Sequence, residues 1–336
     1  MTAILVSDTH YNDKPGDEYR WGLWPWLRQQ AEKVQADEII HLGDLTDAKD
    51  RHPARLVNRL VESMSLVTDL ARLFILKGNH DYIDPLDPFF GFIGHHSKIR
   101  YFKMPTVTEL SIGKATFVPA GTEWNFQPHE FPYLFTHVTF EGAEAENGSL
   151  LPGVDPKRLS DYKGMCYSGD IHVPQKVRKN IEYVGAPYHV RFGDSFTPRC
   201  LVVYNNGKTN ELHYPAPHKR ALNIDSLKRL DHVHVDKGDH VKIRYHLHRM
   251  EFDLWHDTRE QIKEIADKKG WVLFGVEAVP KETRVTERDN RAELLTPDEM
   301  FDSYCKKHKL TKEYTDIGRE LFKPTTLNDD RHNIPE

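Results

Sequence analysis

The sequence predicts an α/β fold: two packed sheets flanked by helices, then a small α+β unit and a helical C-terminal segment. Three observations carry that prediction. Between Ala3 and Asp81, short apolar runs alternate with amphipathic helical periodicity, which argues a mainly parallel sheet with its chemistry on loops beyond the strand ends. From Lys98 the texture changes to short strands with little helix between them, the pattern of a second sheet laid on the first. Near Pro215 to Lys219, prolines and charge interrupt the pattern, and strand, helix and strand then return in a shorter unit.

Taken in order, Ala3-Ile4-Leu5-Val6 reads as a buried strand that runs into Ser7-Asp8-Thr9-His10. In an extended segment Asp8 and His10 point to the same side, a metal-ligand spacing. Taken alone, the pair fits a capped strand end with a surface histidine equally well. Tyr11 to Arg20, with Pro15 and Gly16, is a loop, and Trp21 to Lys33 is a helix with Trp24, Leu27 and Ala31 on one face. Glu38 to Leu42 is a second strand that enters Gly43-Asp44-Leu45-Thr46-Asp47. Arg55 to Leu70 is a helix, and Leu73 to Leu76 is a third strand ending at Gly78-Asn79-His80-Asp81.

Thr106 to Ile112, Ala115 to Pro119 and Tyr133 to Val138 form strands of the second sheet, the last bearing His137. The Gly- and Glu-rich stretch from Phe140 to Pro156 reads as a mobile loop. Met165 to Ser168 leads into Gly169-Asp170-Ile171-His172, again a carboxylate and an imidazole two apart, and Ile181 to Val184 and Cys200 to Tyr204 continue that sheet. Beyond the boundary, His240 to Leu247 alternates as a strand, Asp257 to Lys269 is an amphipathic helix closed by Gly270, and Trp271 to Val276 is a strand. The expected division is a main domain over 1–217, a small cap over 218–281, a charged linker over 282–294, two helices within 295–323 and a disordered tail over 324–336. The first of those helices starts at Thr296 and the second at Thr311.

With 38% hydrophobic and 29% charged residues, the composition is that of a soluble globular protein. No apolar run approaches membrane-spanning length and the N-terminus has no signal-peptide layout, so a cytoplasmic location is expected. Cys166, Cys200 and Cys305 are scattered and odd in number, which fits inert thiols in a reducing compartment rather than a disulfide framework. The net charge of −5 does not announce a nucleic-acid binder, but between Lys157 and Arg249 Lys and Arg outnumber Asp and Glu about two to one.

Five segments share one property: each places oxygen or nitrogen ligands just after an apolar strand. They are Asp8/His10, Asp44, Asn79/His80, His137 and Asp170/His172. That recurrence makes chance a poor explanation. Carboxylate, amide oxygen and imidazole together suit manganese, iron or zinc, and the lack of a cysteine ligand argues against a structural zinc site. The set is too large for one ion and about right for two that share a carboxylate. Two ions roughly 3.5–4 Å apart clamp the attacking and leaving oxygens of a phosphoryl group, so phosphoester hydrolysis follows.

In this order, D-x-H, G-D-x-x-D, G-N-H-D, a lone histidine and G-x-x-H, the segments resemble the calcineurin-like metallophosphoesterases. The stretch SGDIHVPQ followed by IEYVGAPYHVRFGD, through Asp194, further resembles the SbcD-type DNA repair nucleases, which pair with SbcC-type coiled-coil ATPases. Protein phosphatases of the superfamily usually carry Arg after the G-D-x-x-D carboxylate and Glu after G-N-H, whereas here Ala48 follows Asp47 and the second motif ends in Asp81.

The resemblance implies a two-sheet metallophosphoesterase sandwich with a DNA-facing cap. It implies that Asp8, His10 and His172 hold a first divalent cation, that Asp44 bridges, and that Asn79, His137 and Asp170 hold a second, with manganese foremost and magnesium, iron or zinc as alternatives. His80 is then the catalytic histidine that stabilises or protonates the leaving oxygen, and Asp47 and Asp81 orient histidines from behind. The family normally has His where Asp170 stands. A carboxylate there adds negative charge and favours manganese or magnesium.

The implied function is a metal-dependent DNA nuclease subunit of repair or recombination, working with an SbcC-type ATPase and as a homodimer. The helices within 295–323 would grip the coiled coil through Met300, Phe301, Tyr304, Ile317, Leu321 and Phe322, or equally that apolar stripe would fold back on the body of the protein. The short chain points to a reduced, phage-encoded version. A phosphodiesterase or phosphatase acting on a small substrate shares the same site, and a scaffold that keeps the fold without chemistry is the third reading. His41, His95, His96, His129 and His189 stand as bystanders or substrate contacts.

Overall fold

The computed structural model describes residues 1–124, 131–281, 301–302, 305–306, 310–312 and 314–316. Met1–Pro280 forms one compact unit and Lys281–Glu336 another. In chain order the first unit contains β1 (Thr2–Val6), α1 (Leu23–Val34), β2 (Glu38–His41), α2 (Ala54–Thr68), β3 (Arg72–Leu76) and β4 (Ile99–Phe102). Then follow β5 (Thr106–Leu110), β6 (Gly113–Val118), β7 (Tyr133–His137), β8 (Met165–Gly169), β9 (Gln175–Arg178) and β10 (Ile181–Tyr183). The unit closes with β11 (Cys200–Tyr204), β12 (Thr209–Leu212), β13 (Lys219–Ile224), β14 (His240–Leu247), α3 (Trp255–Lys269) and β15 (Val272–Pro280).

The first sheet has the order β12-β11-β1-β2-β3-β4, with β1 to β4 parallel and β11 antiparallel to β1. The second has the order β5-β6-β7-β8-β10-β9, and β6, β7, β8 and β10 run parallel within it. Both sheets are therefore mixed, with a parallel centre whose strand ends all point one way. One expectation changes here. Cys200–Tyr204 returns to the first sheet rather than continuing the second, because Leu201 and Val203 bury against the inter-sheet core while Cys200 and Val202 face the helices.

Alternation explains why the short strands read as unbroken apolar runs. In β1, Ala3 and Leu5 enter the core between the sheets, while Ile4 and Val6 enter the core under α1 and α2. The inter-sheet layer is largely aromatic: Phe102 stacks on Phe117 with ring centroids 4.0 Å apart, and Phe117 meets Phe135 at 5.0 Å. On the other face, Trp24 and Leu27 of α1 and Leu56, Leu60 and Met64 of α2 complete the layer. The third sheet, β13-β14-β15, is parallel, and α3 supplies the crossover between its last two strands. Gly270 ends α3 in the left-handed conformation, φ +70°.

The first helix begins at Leu23, two residues later than its periodicity implied, because Glu18–Gly22 forms a separate 3₁₀ turn. The linker over 282–294 lies outside the described residues, as do the tail over 324–336, His129, Thr296, Met300, Tyr304, Ile317, Leu321 and Phe322. In the second unit, 301–302, 305–306, 312 and 314–316 are helical, and the Leu310 N–H donates to the Cys305 carbonyl at 3.0 Å. Among the described residues no helix is long and apolar enough to cross a membrane. Cys166, Cys200 and Cys305 are buried and free.

Candidate metal centre

The residues singled out in the sequence leave the parallel strands at one end of both sheets. Asp8 and His10 follow β1, Asp44 follows β2, Asn79 and His80 follow β3, His137 ends β7, and Asp170 and His172 follow β8. What turns them inward is not strand alternation. Asp8 (φ +54°), His10 (φ +43°), Asp44 (φ +57°) and Asp170 (φ +83°) are all left-handed, and the remaining non-glycine residue of this kind among those described is Gln35, at the end of α1. Side chains other than Gly, Asn and Asp seldom adopt that region, and such strain gathers at functional sites. The loops also hold one another. Asp8 N–H donates to the Gly43 carbonyl at 3.1 Å, and His10 N–H donates to that of Asp44 at 3.0 Å. Gly43 itself needs φ +103°, and a Cβ there would stand 2.7 Å from the Gly78 Cα.

The functional atoms converge. His10 Nε2 lies 3.1 Å from His172 Nε2 and 3.5 Å from Asp44 Oδ2. His137 Nε2 lies 3.2 Å from Asp44 Oδ1 and 3.9 Å from Asp170 Oδ1. Asp8, His10 and His172 form one group whose ligand atoms lie within 4.8 Å of one another, and Asp8, Asp44 and His137 form another. Asp8 belongs to both groups, while Asp44 reaches His10 with Oδ2 and His137 with Oδ1. Asp170 points inward: its Oδ1 accepts from Asn79 Nδ2 at 2.7 Å and its Oδ2 from Thr139 Oγ1.

These residues fit divalent cations. Asp8 Oδ2 and Asn79 Oδ1 are buried oxygens without a hydrogen-bond partner, a costly arrangement unless a cation faces them. His137 Nδ1 donates to the Leu42 carbonyl at 2.6 Å, which leaves its Nε2 lone pair toward the cluster. The nitrogens of His10 and His172 likewise converge, with hard and borderline donors throughout.

The charge state reflects the crowding. Burial pushes the Asp8 carboxyl up to about 6, with His137 opposing and Asp44 reinforcing that shift. Burial would also raise Asp44, but the neighbouring His137 and His10 hold it well below the ordinary carboxylate range. Burial lowers His10 to about 3, despite the Asp44 charge beside it. For His137 burial acts downward too, yet Asp44, Asp8 and Asp170 together raise it above the usual imidazole value. The cluster thus keeps a proton among its anions, which a cation would displace.

The supporting groups differ from expectation. Asp81 orients backbone, not histidines: its carboxylate accepts the N–H groups of Gly78 (2.6 Å), Leu45 (2.9 Å) and Asp44 (3.1 Å). It stitches the loops after β2 and β3 together. The Asp47 carbonyl, rather than its carboxylate, holds His80, accepting from Nδ1 at 2.9 Å, while the carboxylate pairs with Lys14. His80 N–H donates to Asp44 Oδ1 at 2.8 Å. His41 is a buried support, donating from Nε2 to Thr9 Oγ1 at 2.9 Å and accepting the Gly43 N–H at Nδ1. His189 is buried away from the cluster, its Nε2 donating to the Phe196 carbonyl at 2.9 Å, and His95 and His96 are exposed.

A cavity of about 660 Å³ opens over the cluster, with His10, Asp44 and His172 at its floor and Glu146, Arg191 and Phe192 along its walls. Sequence reasoning missed several residues here. Glu146 lies 2.7 Å from His172 Nδ1, Thr139 binds Asp170, and buried Arg20 holds the His10 carbonyl from behind while pairing with Asp17 at 3.0 Å. None sits in a recognisable motif. The run RFGD, quoted for its resemblance, was the available signal for Arg191 and Phe192.

A family model described as Calcineurin-like phosphoesterase matches residues 1–174. "Putative phosphoesterase 244L" of Invertebrate iridescent virus 6 is 22% identical over 254 residues, covering 68% of this chain and 84% of the viral protein. Among solved structures, an archaeal phosphodiesterase is similar over 63% of this chain and 99% of its own, at 10% identity and a TM-score of 0.33. A Mycoplasma pneumoniae phosphatase is similar over 63% and 92%, at 14% identity and a TM-score of 0.37. The Pseudomonas putida nuclease MPE is similar over 62% and 87%, at 16% identity and a TM-score of 0.31. The ligand-bearing loops after β1, β2, β3, β7 and β8 all fall within the matched region, and the chain belongs to the calcineurin-like phosphoesterase family.

Proposed function

We propose that this phosphoesterase is a DNA nuclease of the SbcD type that hydrolyses phosphodiester bonds with two divalent cations, manganese foremost. The observation that carries the chemistry is the convergence of seven candidate ligands from five strand ends, five of which (His10, Asp44, Asn79, Asp170 and His172) line one cavity, with Asp8 Oδ2 and Asn79 Oδ1 left unpartnered among them. In this reading Asp8, His10 and His172 hold one cation, Asn79, His137 and Asp170 hold the other, and Asp44 is shared. When bound, such a pair supplies Lewis-acid polarisation of a phosphoryl oxygen and brings the pKa of water toward neutrality.

The chain's own residues supply the rest. His80, with Nδ1 committed to the Asp47 carbonyl, has Nε2 available to hold or give a proton at the leaving oxygen. Arg191, on the cavity wall with its charge acting on Glu146, can fork onto the oxygens of a phosphate. Phe192 beside it carries Lys242 of β14 over its ring at 4.8 Å, so an aromatic and basic rim leads from the cavity to the third sheet. That rim favours a nucleic-acid strand over a small ester.

Cleavage of single- and double-stranded DNA should be measured with manganese beside a chromogenic phosphodiester. DNA cleavage that disappears in Asp44→Asn supports the reading, and hydrolysis of the small ester alone overturns the DNA assignment. The reading extends to a homodimer and, through the segment over 295–323, to a coiled-coil ATPase partner. Deletion of the residues after Glu293 should abolish ATPase association while sparing metal-dependent cleavage.

A further inference from the structure

The connection between β7 and β8 brings a carboxylate to the metal centre that no motif marks. Glu146 Oε1 lies 2.7 Å from His172 Nδ1, and the Glu146 side chain is 25% exposed. The fold builds this contact. Gln175 clips the loop in place: its Oε1 accepts the Glu144 N–H at 2.8 Å and its Nε2 donates to the Glu144 carbonyl at 2.7 Å. Gln175 lies three residues after His172, so one side chain fastens the loop to the segment that carries the histidine. The loop is braced behind as well. Phe140 and Ala143 are fully buried, Glu144 bridges Leu150, and the Gly148 N–H closes a turn onto the Ala145 carbonyl at 2.9 Å with Glu146 inside it.

At 2.7 Å, though off the line of an Nδ1–H bond, the Glu146 carboxylate favours the tautomer that carries its proton on Nδ1 and keeps the Nε2 lone pair. That Nε2 faces His10 Nε2 at 3.1 Å, in the group that also contains Asp8. We propose that Glu146 is a positioning residue that fixes the tautomer and ring plane of His172 toward a divalent cation shared with Asp8 and His10. The proposal rests on the metal-centre reading above. Without the carboxylate the ring is free to rotate and to exchange tautomers, and each binding event then has to order it. Partners of this kind typically change metal affinity by about 10–100-fold.

Manganese titration by calorimetry, on the full chain without substrate, tests it in the wild type, Glu146→Ala, Glu146→Gln and Gln175→Ala. Glu146→Ala should weaken one of the two binding events by about 10–100-fold and leave the other unchanged. Glu146→Gln, whose amide oxygen still accepts from Nδ1–H, should stay close to the wild type. Gln175→Ala keeps the carboxylate but removes the clip and should weaken the same event, which keeps the test decisive if Glu146→Ala folds poorly. Isotherms of Glu146→Ala and Gln175→Ala that superimpose on the wild type overturn the inference and leave the metal centre standing. Equal losses in Glu146→Ala and Glu146→Gln overturn it in favour of simple charge attraction. A wild type that takes up no manganese overturns the metal-centre reading together with the inference.

Discussion

His80 differs from the imidazoles around it in what its nitrogens face. His137 and His172 turn Nε2 into the cluster of carboxylates, whereas His80 donates its backbone N–H to Asp44 Oδ1, and its ring, within 4.8 Å of ligand atoms of His10 and Asp47, lines the cavity with Nδ1 on the Asp47 carbonyl. His80→Ala is therefore expected to retain both manganese-binding events while losing about 10²–10⁴-fold in turnover, a split readable by calorimetry beside a hydrolysis assay. Asp17 shows the opposite kind of residue, buried and structural. Burial would raise its carboxyl, but Arg20, Lys219 and Asn12 outweigh it and hold the group below the ordinary range. A depressed carboxyl stabilises the fold above its unfolded pKa, and that contribution is lost as pH falls through the folded pKa. Asp17→Asn should thus cost roughly 3–5 kcal/mol at neutral pH, by stranding buried cations, with the gap to wild type shrinking only in acid. Urea midpoints at a series of pH values check both the size and the sign. Of these roles, that of His80 was legible from its motif. That of Asp17 was not, because its partner Lys219 lies far along the chain.

At the scale of elements, the candidate ligands stand at the start of each loop because the parallel strand before it is a buried apolar run that ends at the same side of the sheets. The apolar runs made those strands readable. The left-handed turns that follow were not, since Asp and His carry no signal comparable to glycine, and bonds between loops hold them: Asp8 and His10 through the Gly43 and Asp44 carbonyls, Asp44 through Asp81 and Asp170 through Asp8. The stretch from Phe140 to Pro156 shows the same limit. Its composition reads as a mobile loop, yet it is pinned by Gln175 and by Phe140 and Ala143, which bury in an apolar cluster with residues of β7, β8 and β10. By contrast α2 carries no ligand and serves only to cover the first sheet. Leu60→Ala, at a fully buried position in it, should cost about 2–5 kcal/mol in a urea melt and leave manganese stoichiometry unchanged.

Across the whole of the first unit, an acidic cluster of candidate metal ligands is rimmed by Arg191, Phe192 and Lys242, contributed by segments that follow the family-matched region. If those cations hold a polyanion, the KM for DNA should rise steeply between 50 and about 200 mM salt while that for a small ester barely moves, and Arg191→Ala together with Lys242→Ala should flatten the DNA dependence. Equal salt responses for the two substrates would place the discrimination elsewhere. By itself the sequence determined the alternation of strand and helix, the second sheet, and the identity of the ligand candidates, because hydrophobic periodicity and motif chemistry are local properties. Only the tertiary structure decided that Cys200–Tyr204 returns beside β1, that Asp81 grips amides rather than histidines, and that Glu146 meets His172. Those facts depend on which strand ends and loops pack together, and that pairing is set by burial over the whole unit rather than by any neighbour in the chain.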